Sequence, residues 1–348
     1  MVLLQPPLDA NLPNDSPYLP KNYNFEINKT LRTILKYKCK TVTLQFPDGL
    51  LRYSIPIIDL ISQYTGAYSI VLNDVVYGAC CVDDSSIKSD LLIHYGHSCL
   101  VPVTEMCTRV LYIFVDIKID MTHLQKIIEK EFKDEDEVSV VGTIQFNSSI
   151  SKLRKSGKIS TPQIKPLSRG EVLGCTSPII KNKVVISIGD GRFHLESVMI
   201  NNPKLIFYQY CPFSRRMTRE YYDYDKMVSR RSLNIKKARE GKSFGVILGT
   251  LGKQGNKNIL ENVKNKLKEY TLYIFMMEEI TPNILDRYTF IDSFVQISCP
   301  RLSTDWGDSF NKPLLSAYEV FYELGDDYKL DYYSKEGNAP HKNYNNLI

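Results

Sequence analysis

One local pattern recurs along this chain and limits what it can fold into: a short apolar run, a stop at Gly or Asp, then an amphipathic stretch. Residues 41–46 alternate as a strand, close in Pro47-Asp48-Gly49 and lead into a helical pattern over 50–64. Residues 184–188 stop at Gly189-Asp190-Gly191, and a helical pattern follows over 193–199. Residues 244–248 stop at Gly249-Thr250-Leu251-Gly252, ahead of a helical pattern over 256–270. Further strand candidates lie at 68–72, 91–94, 110–115, 138–143, 205–208, 271–276 and 294–297, many apolar on both faces, as strands buried in parallel sheets are. Strands alternating with helices imply βαβ units. The expected fold class is α/β: three similar domains, each a small mostly parallel sheet flanked by helices. The divisions are an extended arm over 1–24, domains over 25–120, 121–217 and 218–335, and a flexible tail over 336–348. The Tyr- and Asn-rich stretch from Leu330 is expected to fray. The first helix places Ile27, Leu31, Ile34 and Leu35 on one face, with Asn28 as its expected cap.

Composition excludes several classes. The 348 residues carry 44 Lys+Arg against 39 Asp+Glu, a net charge of +5, too mild to demand a nucleic-acid partner. Arg230, Arg231, Lys236, Lys237 and Arg239 form a basic, linker-like stretch over 230–242. It reads more simply as a solvated helix face than as an RNA contact. No apolar run of about 18 residues exists, so no membrane helix is expected. The start lacks a basic segment followed by a long apolar one, so no signal peptide is expected either. The expectation is a soluble, cytoplasmic chain. Its eight cysteines then sit in a reducing compartment, as core residues, metal ligands or catalytic thiols rather than disulfides.

Three cysteines share a setting. Cys80 follows Val75-Val76-Tyr77-Gly78-Ala79, Cys175 follows Val172-Leu173-Gly174, and Cys299 follows Phe294-Val295-Gln296-Ile297-Ser298. Each comes just after an apolar run, in a different third of the chain, and ligands of open α/β sheets bind beyond strand ends. Three thiolates suit an iron–sulfur cluster with one iron left open. Tetrahedral zinc and plain burial compete with that reading, because no C-x-x-C spacing supports it. Cys81 could replace Cys80, while Cys39, Cys107 and Cys211 read as core or incidental. His94-Tyr95-Gly96-His97-Ser98-Cys99 could line a cleft or hold zinc, or simply pack a turn. His194 is equally open. The turn Gly249–Gly252 could cradle a carboxylate or phosphate with backbone amides, or be only a turn. It is not a P-loop, and no Gly-x-Ser-x-Gly elbow occurs.

Six segments together resemble a known family. They are Tyr77-Gly78-Ala79-Cys80-Cys81-Val82-Asp83-Asp84, His94-Tyr95-Gly96-His97-Ser98-Cys99-Leu100, Leu173-Gly174-Cys175-Thr176-Ser177-Pro178, Gly189-Asp190-Gly191-Arg192-Phe193-His194-Leu195-Glu196, Leu248-Gly249-Thr250-Leu251-Gly252 and Ser298-Cys299-Pro300-Arg301-Leu302-Ser303. In this order they resemble the diphthamide-synthesis family over roughly residues 20–335. The resemblance implies three α/β domains around a central [4Fe-4S] cluster, with Cys80, Cys175 and Cys299 as its ligands. It implies S-adenosylmethionine as co-substrate, cleaved at the sulfur to γ-carbon bond. The 3-amino-3-carboxypropyl group so released would add to C2 of a histidine of translation elongation factor 2. It further implies a heterodimer with a paralogous second subunit and a small electron-donor metalloprotein, with no nucleic acid required. Beside those implications, Arg192 or the turn Gly249, Thr250, Leu251 and Gly252 could hold the methionine carboxylate. His94, His97, His194 and Glu196 could place the target imidazole or take up its proton.

Overall fold

The structure, a computed structural model, describes residues 12–72, 78–85, 87–133, 135, 137–153 and 158–343. Two compact units divide the chain: Met1–Asp120 with Ile144–Ser149, and Met121–Thr143 with Ile150–Ile348. The first contains β1 (Tyr23–Asn24), α1 (Ile27–Tyr37), β2 (Thr41–Gln45), α2 (Asp48–Leu51), α3 (Ser54–Thr65), β3 (Tyr68–Leu72), β4 (Leu91–Tyr95), β5 (Val110–Ile113) and β6 (Asp116–Ile117). Its main sheet has the order β3-β2-β4-β5 and is parallel throughout, while β1 and β6 form a small antiparallel pair. α1 buries Leu31, Ile34 and Leu35, the stripe written in the sequence, in a core with Val42, Leu44, Ile57, Ile61, Leu91 and Ile93. Burying each such side chain contributes about 1.5–3 kcal/mol.

Two local expectations in this unit are corrected. Asn28 is not the cap of α1; Glu26 holds that position in a left-handed conformation. Asn28 already lies inside the first turn, where its Nδ2 donates to the Leu12 carbonyl at 3.0 Å and its Oδ1 accepts from Arg32 at 2.7 Å. The helix expected over 50–64 is two, α2 and α3. Pro56 has no amide proton, and its ring crowds the carbonyl of Arg52 four residues earlier, so the helix cannot run through.

The second unit continues with α4 (Thr122–Glu131), β7 (Val138–Gly142), the last residues of α5 (Asn147–Leu153), β8 (Ile159–Ser160), β9 (Val184–Ile188), α6 (Phe193–Asn201), β10 (Ile206–Cys211) and β11 (Arg216–Glu220). These strands form one sheet, β11-β10-β9-β7-β8, parallel except for the β10–β11 hairpin. Next come α7 (Tyr224–Glu240), β12 (Ser243–Gly249), α8 (Lys257–Lys266), β13 (Thr271–Met277), α9 (Pro282–Leu285), β14 (Ser293–Ile297), α10 (Pro300–Trp306), β15 (Leu314–Ser316) and α11 (Ala317–Phe321). Their sheet, β13-β12-β14-β15, is again wholly parallel. Among the described residues there are thus three main sheets, mostly parallel and flanked by helices, as the sequence pattern implies.

The basic stretch over 230–242 is mainly the end of α7, not a linker. Arg231 is only 2% exposed, and its guanidinium grips the Glu319 carboxylate at 2.6 and 2.8 Å and the Leu314 carbonyl at 2.8 Å. The stretch from Leu330 does not fray over its described part. Leu330, Tyr332, Tyr333, His341 and Lys342 are buried, and Lys342 pairs with Asp331 at 2.8 Å. Of the expected arm and tail, residues 1–11 and 344–348 lie outside the described residues, while Leu12 and Leu19 are buried.

The two all-parallel sheets open in the same way. Asp90, just before β4, accepts the amides of Lys40 and Thr41 at 2.7 and 2.9 Å. Asp292, just before β14, accepts those of Lys242 and Ser243 at 2.8 and 3.0 Å. These amide donors, joined by the Ser243 hydroxyl for Asp292, hold both carboxyls below the usual range. A carboxyl depressed on folding adds stability above its unfolded value near pH 4 and loses it as pH falls through the folded value. The melting temperature should therefore drop on acidification from about pH 5 to pH 2, and less steeply in Asp90→Asn/Asp292→Asn, as a pH series of thermal melts will show.

Candidate active site

In the second unit Cys175 forms the tip of a tight turn rather than a strand end. Leu173 and Thr176 close that turn with paired backbone hydrogen bonds of 2.9 and 3.4 Å, leaving Gly174-Cys175 at the centre. A Cβ at Gly174 would stand 2.0 Å from the Phe193 ring, so any larger residue there would have to displace that ring. The C-terminal stretch locks the turn: the Tyr332 amide donates to the Cys175 carbonyl at 3.1 Å and the Tyr333 amide to Thr176 Oγ1 at 2.9 Å. Cys299 does stand at a strand end, two residues past β14, as the residue that caps α10.

Arg301 links the two cysteine segments and was missed by the sequence reading. It is 3% exposed. Its Nη1 donates to the carbonyls of Gly174 (3.3 Å) and Phe193 (2.8 Å), its Nη2 to Glu196 (2.6 Å), and its Nε to Asp305 (2.8 and 2.9 Å). Burial pushes the Cys175 thiol up to about 12; the nearby Cys299 adds to this, while Arg301 pulls the other way. Two neighbouring thiols that oppose each other's ionisation suit a soft cationic group, which favours both thiolates. His194, near the start of α6, is held down at about 4 by burial and then by the Arg301 charge, so it is neutral at physiological pH.

Two other expected residues are already engaged. Arg192 donates to Glu220 and to the Tyr221 carbonyl (2.8 Å), and its Nε lies 3.4 Å from Glu196. Glu196 is thus shared between Arg192 and Arg301. In the glycine-rich turn, the Thr250 amide donates to the Met277 carbonyl at 2.8 Å. Gly249 is held small by Ser298, the neighbour of Cys299, whose Cβ would lie 2.7 Å from an added one. Gly252 has φ 54, in the left-handed region.

The first unit carries a separate group. Cys80 lies in a turn after Gly78, partly exposed, whereas Cys81 is 6% exposed, with their sulfurs 3.9 Å apart. The Val75-Val76-Tyr77 run before them lies outside the described residues. His94 is buried at the end of β4; burial, then His97, lowers its pKa well below the usual value, so it too is neutral. Its ring stands 5.1 Å from that of His97, and its Nδ1 meets Gln45 Oε1 at 3.0 Å. Gln45 Nε2 in turn donates to the Asp83 carbonyl at 2.5 Å, tying His94 to the segment after Cys80. A glutamine inside the apolar strand β2 was the one available sign of that role. Among the described residues, no three His, Cys, Asp or Glu side chains are grouped so as to hold a metal ion. In the second unit Cys175 and Cys299 lie close enough for their charges to interact.

Comparison with known proteins identifies the setting. The sequence matches the family model described as "Putative diphthamide synthesis protein" over residues 46–334. The chain belongs to the diphthamide synthesis family. A relative from Encephalitozoon cuniculi, named 2-(3-amino-3-carboxypropyl)histidine synthase subunit 1, is 62% identical over 335 residues, covering 94% of this chain and 96% of the relative. Its namesake from Saccharomyces cerevisiae is 45% identical over 342 residues, 92% of this chain and 80% of its own length. The crystal structure of Dph2 from Pyrococcus horikoshii with a 4Fe-4S cluster shares the fold, with a TM-score of 0.73 at 22% identity, over 88% of this chain and 93% of that one.

Proposed function

We propose that this diphthamide-family chain catalyses the first step of diphthamide formation. In that step the 3-amino-3-carboxypropyl group of S-adenosylmethionine passes to C2 of a histidine imidazole on translation elongation factor 2. What carries the reading is the thiol pair of Cys175 and Cys299, braced by buried Arg301, in a chain so similar to proteins named as the synthase. With Cys80 as the third ligand, these cysteines would hold a [4Fe-4S] cluster; Cys81, its neighbour with the sulfurs 3.9 Å apart, is the alternative to Cys80. When bound, such a cluster supplies one electron for breaking the sulfur to γ-carbon bond and an open iron for S-adenosylmethionine.

This chain's own residues do the rest. The net change is substitution of C–H by C–C with release of methylthioadenosine and one proton, and neutral His194 would help place the target imidazole, as would Glu196. The electron that enters at cleavage leaves again as the imidazole regains aromaticity. Arg192 is committed to carboxylates, so the methionine carboxylate falls to the Leu251 and Gly252 amides rather than to that guanidinium. His94 and His97 would help seat the target imidazole. The term subunit in the relatives' names fits a paralogous partner chain, and a small metalloprotein would deliver electrons. The reaction would take place in the cytoplasm; no described helix is long and apolar enough to cross a membrane.

The test is iron and acid-labile sulfide content with electron paramagnetic resonance, on protein purified anaerobically with its second subunit. The expected result is a four-iron signal perturbed by S-adenosylmethionine. Cys175→Ala should lose that signal and the transfer activity while its melting temperature changes little. Zinc alone, no metal after reconstitution, or a Cys175→Ala variant with full transfer activity would leave the chain a scaffold or binding protein.

A further inference from the structure

The turn that carries the first of the three cysteines carries two thiols. In a strand, successive side chains point to opposite faces, so adjacent cysteines stand apart. Here Gly78-Ala79-Cys80-Cys81 is a tight turn, closed by the Cys81 amide donating to the Gly78 carbonyl at 3.0 Å, and the two sulfurs lie 3.9 Å apart. They differ in access: Cys80 is partly exposed and Cys81 is buried. Cys81 Sγ packs over Gly78, 3.8 Å from where a Cβ would stand. The segment that follows is pinned. Val82 is fully buried in one apolar cluster with Leu92 and Tyr112, the Asp83 carbonyl accepts from Gln45, and the Asp84 carboxylate accepts the Cys107 amide. The backbone therefore holds a reachable sulfur against a sheltered one, and that fixed proximity favours reaction between the two over reaction with a third thiol.

We propose that Cys80 and Cys81 form a thiol–disulfide exchange site for small disulfides such as oxidised glutathione. Cys80 Sγ, as thiolate, attacks one sulfur of the small disulfide; the other half leaves as a thiolate and takes up the proton that Cys80 gave up. Cys81, once deprotonated, attacks Cys80 Sγ and expels the second half, which takes up that proton. The pair is oxidised by two electrons, and the small disulfide is reduced to two thiols. The small molecule never has to reach buried Cys81. Consecutive Cα atoms are about 3.8 Å apart, short of the ~4.4–6.8 Å that most disulfides span, so a bond between neighbours is strained and readily reduced again. The bond is thus reversible rather than structural. While it lasts, neither sulfur is available to a metal. With the cluster lost, the paired sulfurs are kept from irreversible oxidation to sulfinic and sulfonic acids and stay recoverable by thiols. That consequence rests on the proposed cluster; the exchange itself does not.

Trypsin frees residues 53–88 as one peptide, between Arg52 and Lys88, whose only cysteines are these two. The full chain, stripped of metal with a chelator, is equilibrated with mixtures of reduced and oxidised glutathione, alkylated, digested and weighed by mass spectrometry. The expected product is this peptide lighter by two hydrogens, bearing neither alkyl group nor glutathione, and returned to the dithiol by reduced glutathione. Cys81→Ser should stop at one glutathione on Cys80. Cys80→Ser should react at least about tenfold more slowly than wild type, since its remaining thiol is buried. A wild-type peptide that stays alkylated at both cysteines across the series overturns the proposal. So does a wild-type chain that stops at the glutathione adduct, a Cys80→Ser chain modified as fast as wild type, or a cross-link to the peptide that bears Cys99 and Cys107. Iron uptake by the reduced and the oxidised chain is measured separately. No uptake by either overturns the cluster reading and leaves the exchange result standing.

Discussion

Replacing Arg231 with Met is expected to cost about 3–5 kcal/mol of stability, the largest single effect outside the cysteines. The mechanism is the orphaning of Glu319, which is 0% exposed and receives both arms of the guanidinium. Glu319 also accepts from the Tyr328 hydroxyl at 3.0 Å and from the Ser316 amide at 2.8 Å, so the lost charge disturbs the start of α11 as well. Arg231→Met/Glu319→Gln should recover part of the loss, since a neutral amide can be buried at lower cost than a lone carboxylate. Chemical denaturation of the two variants beside the wild type checks this. An Arg231→Met midpoint equal to wild type would show that the pair contributes nothing.

Arg301→Lys should leave the fold standing and cost transfer activity on the order of 100-fold, the scale of an ångström-sized misplacement. Lysine keeps the charge but not the fork that reaches Gly174, Phe193, Glu196 and Asp305 together. The Cys175 turn then loses its tie to the helix behind Cys299. Because the role is one of position, a second readout matters: the iron retained per chain and the line shape of the resonance signal should change, while the melting temperature moves by a few degrees at most. Unchanged iron and unchanged spectrum with lost activity would give Arg301 a direct contact with substrate instead.

The parallel strands could be read from sequence because each is buried on both faces and therefore apolar without interruption. β11 could not, since an edge hairpin strand reading Arg-Met-Thr-Arg-Glu needs no apolar face. Arg231 and Arg301 looked like any surface arginines; only their carboxylate partners, 88 and 105 residues away, make them interior residues. The twin aspartates at Asp90 and Asp292 show a repeat that side-chain identity elsewhere hides. The middle sheet obscures it further, because β7 and β8 enter before β9 and β10. The three cysteines carry no local spacing signal; their shared place after apolar runs marked them as candidates, and resemblance then implied their role as ligands. The structure adds the turn at Cys175, the cap at Cys299 and the arginine between them.

The lock on the Cys175 turn has a consequence for biosynthesis. Its closing bonds come from Tyr332 and Tyr333, the latter 157 residues downstream of its partner Thr176. A ribosome delivers chain from the amino end, and contacts of such long sequence separation form late. The turn therefore stays unlatched until the chain has been made past Tyr333. Any fragment ending before Tyr332 would carry the cysteine but not its seat, so the geometry of this turn is set late in folding.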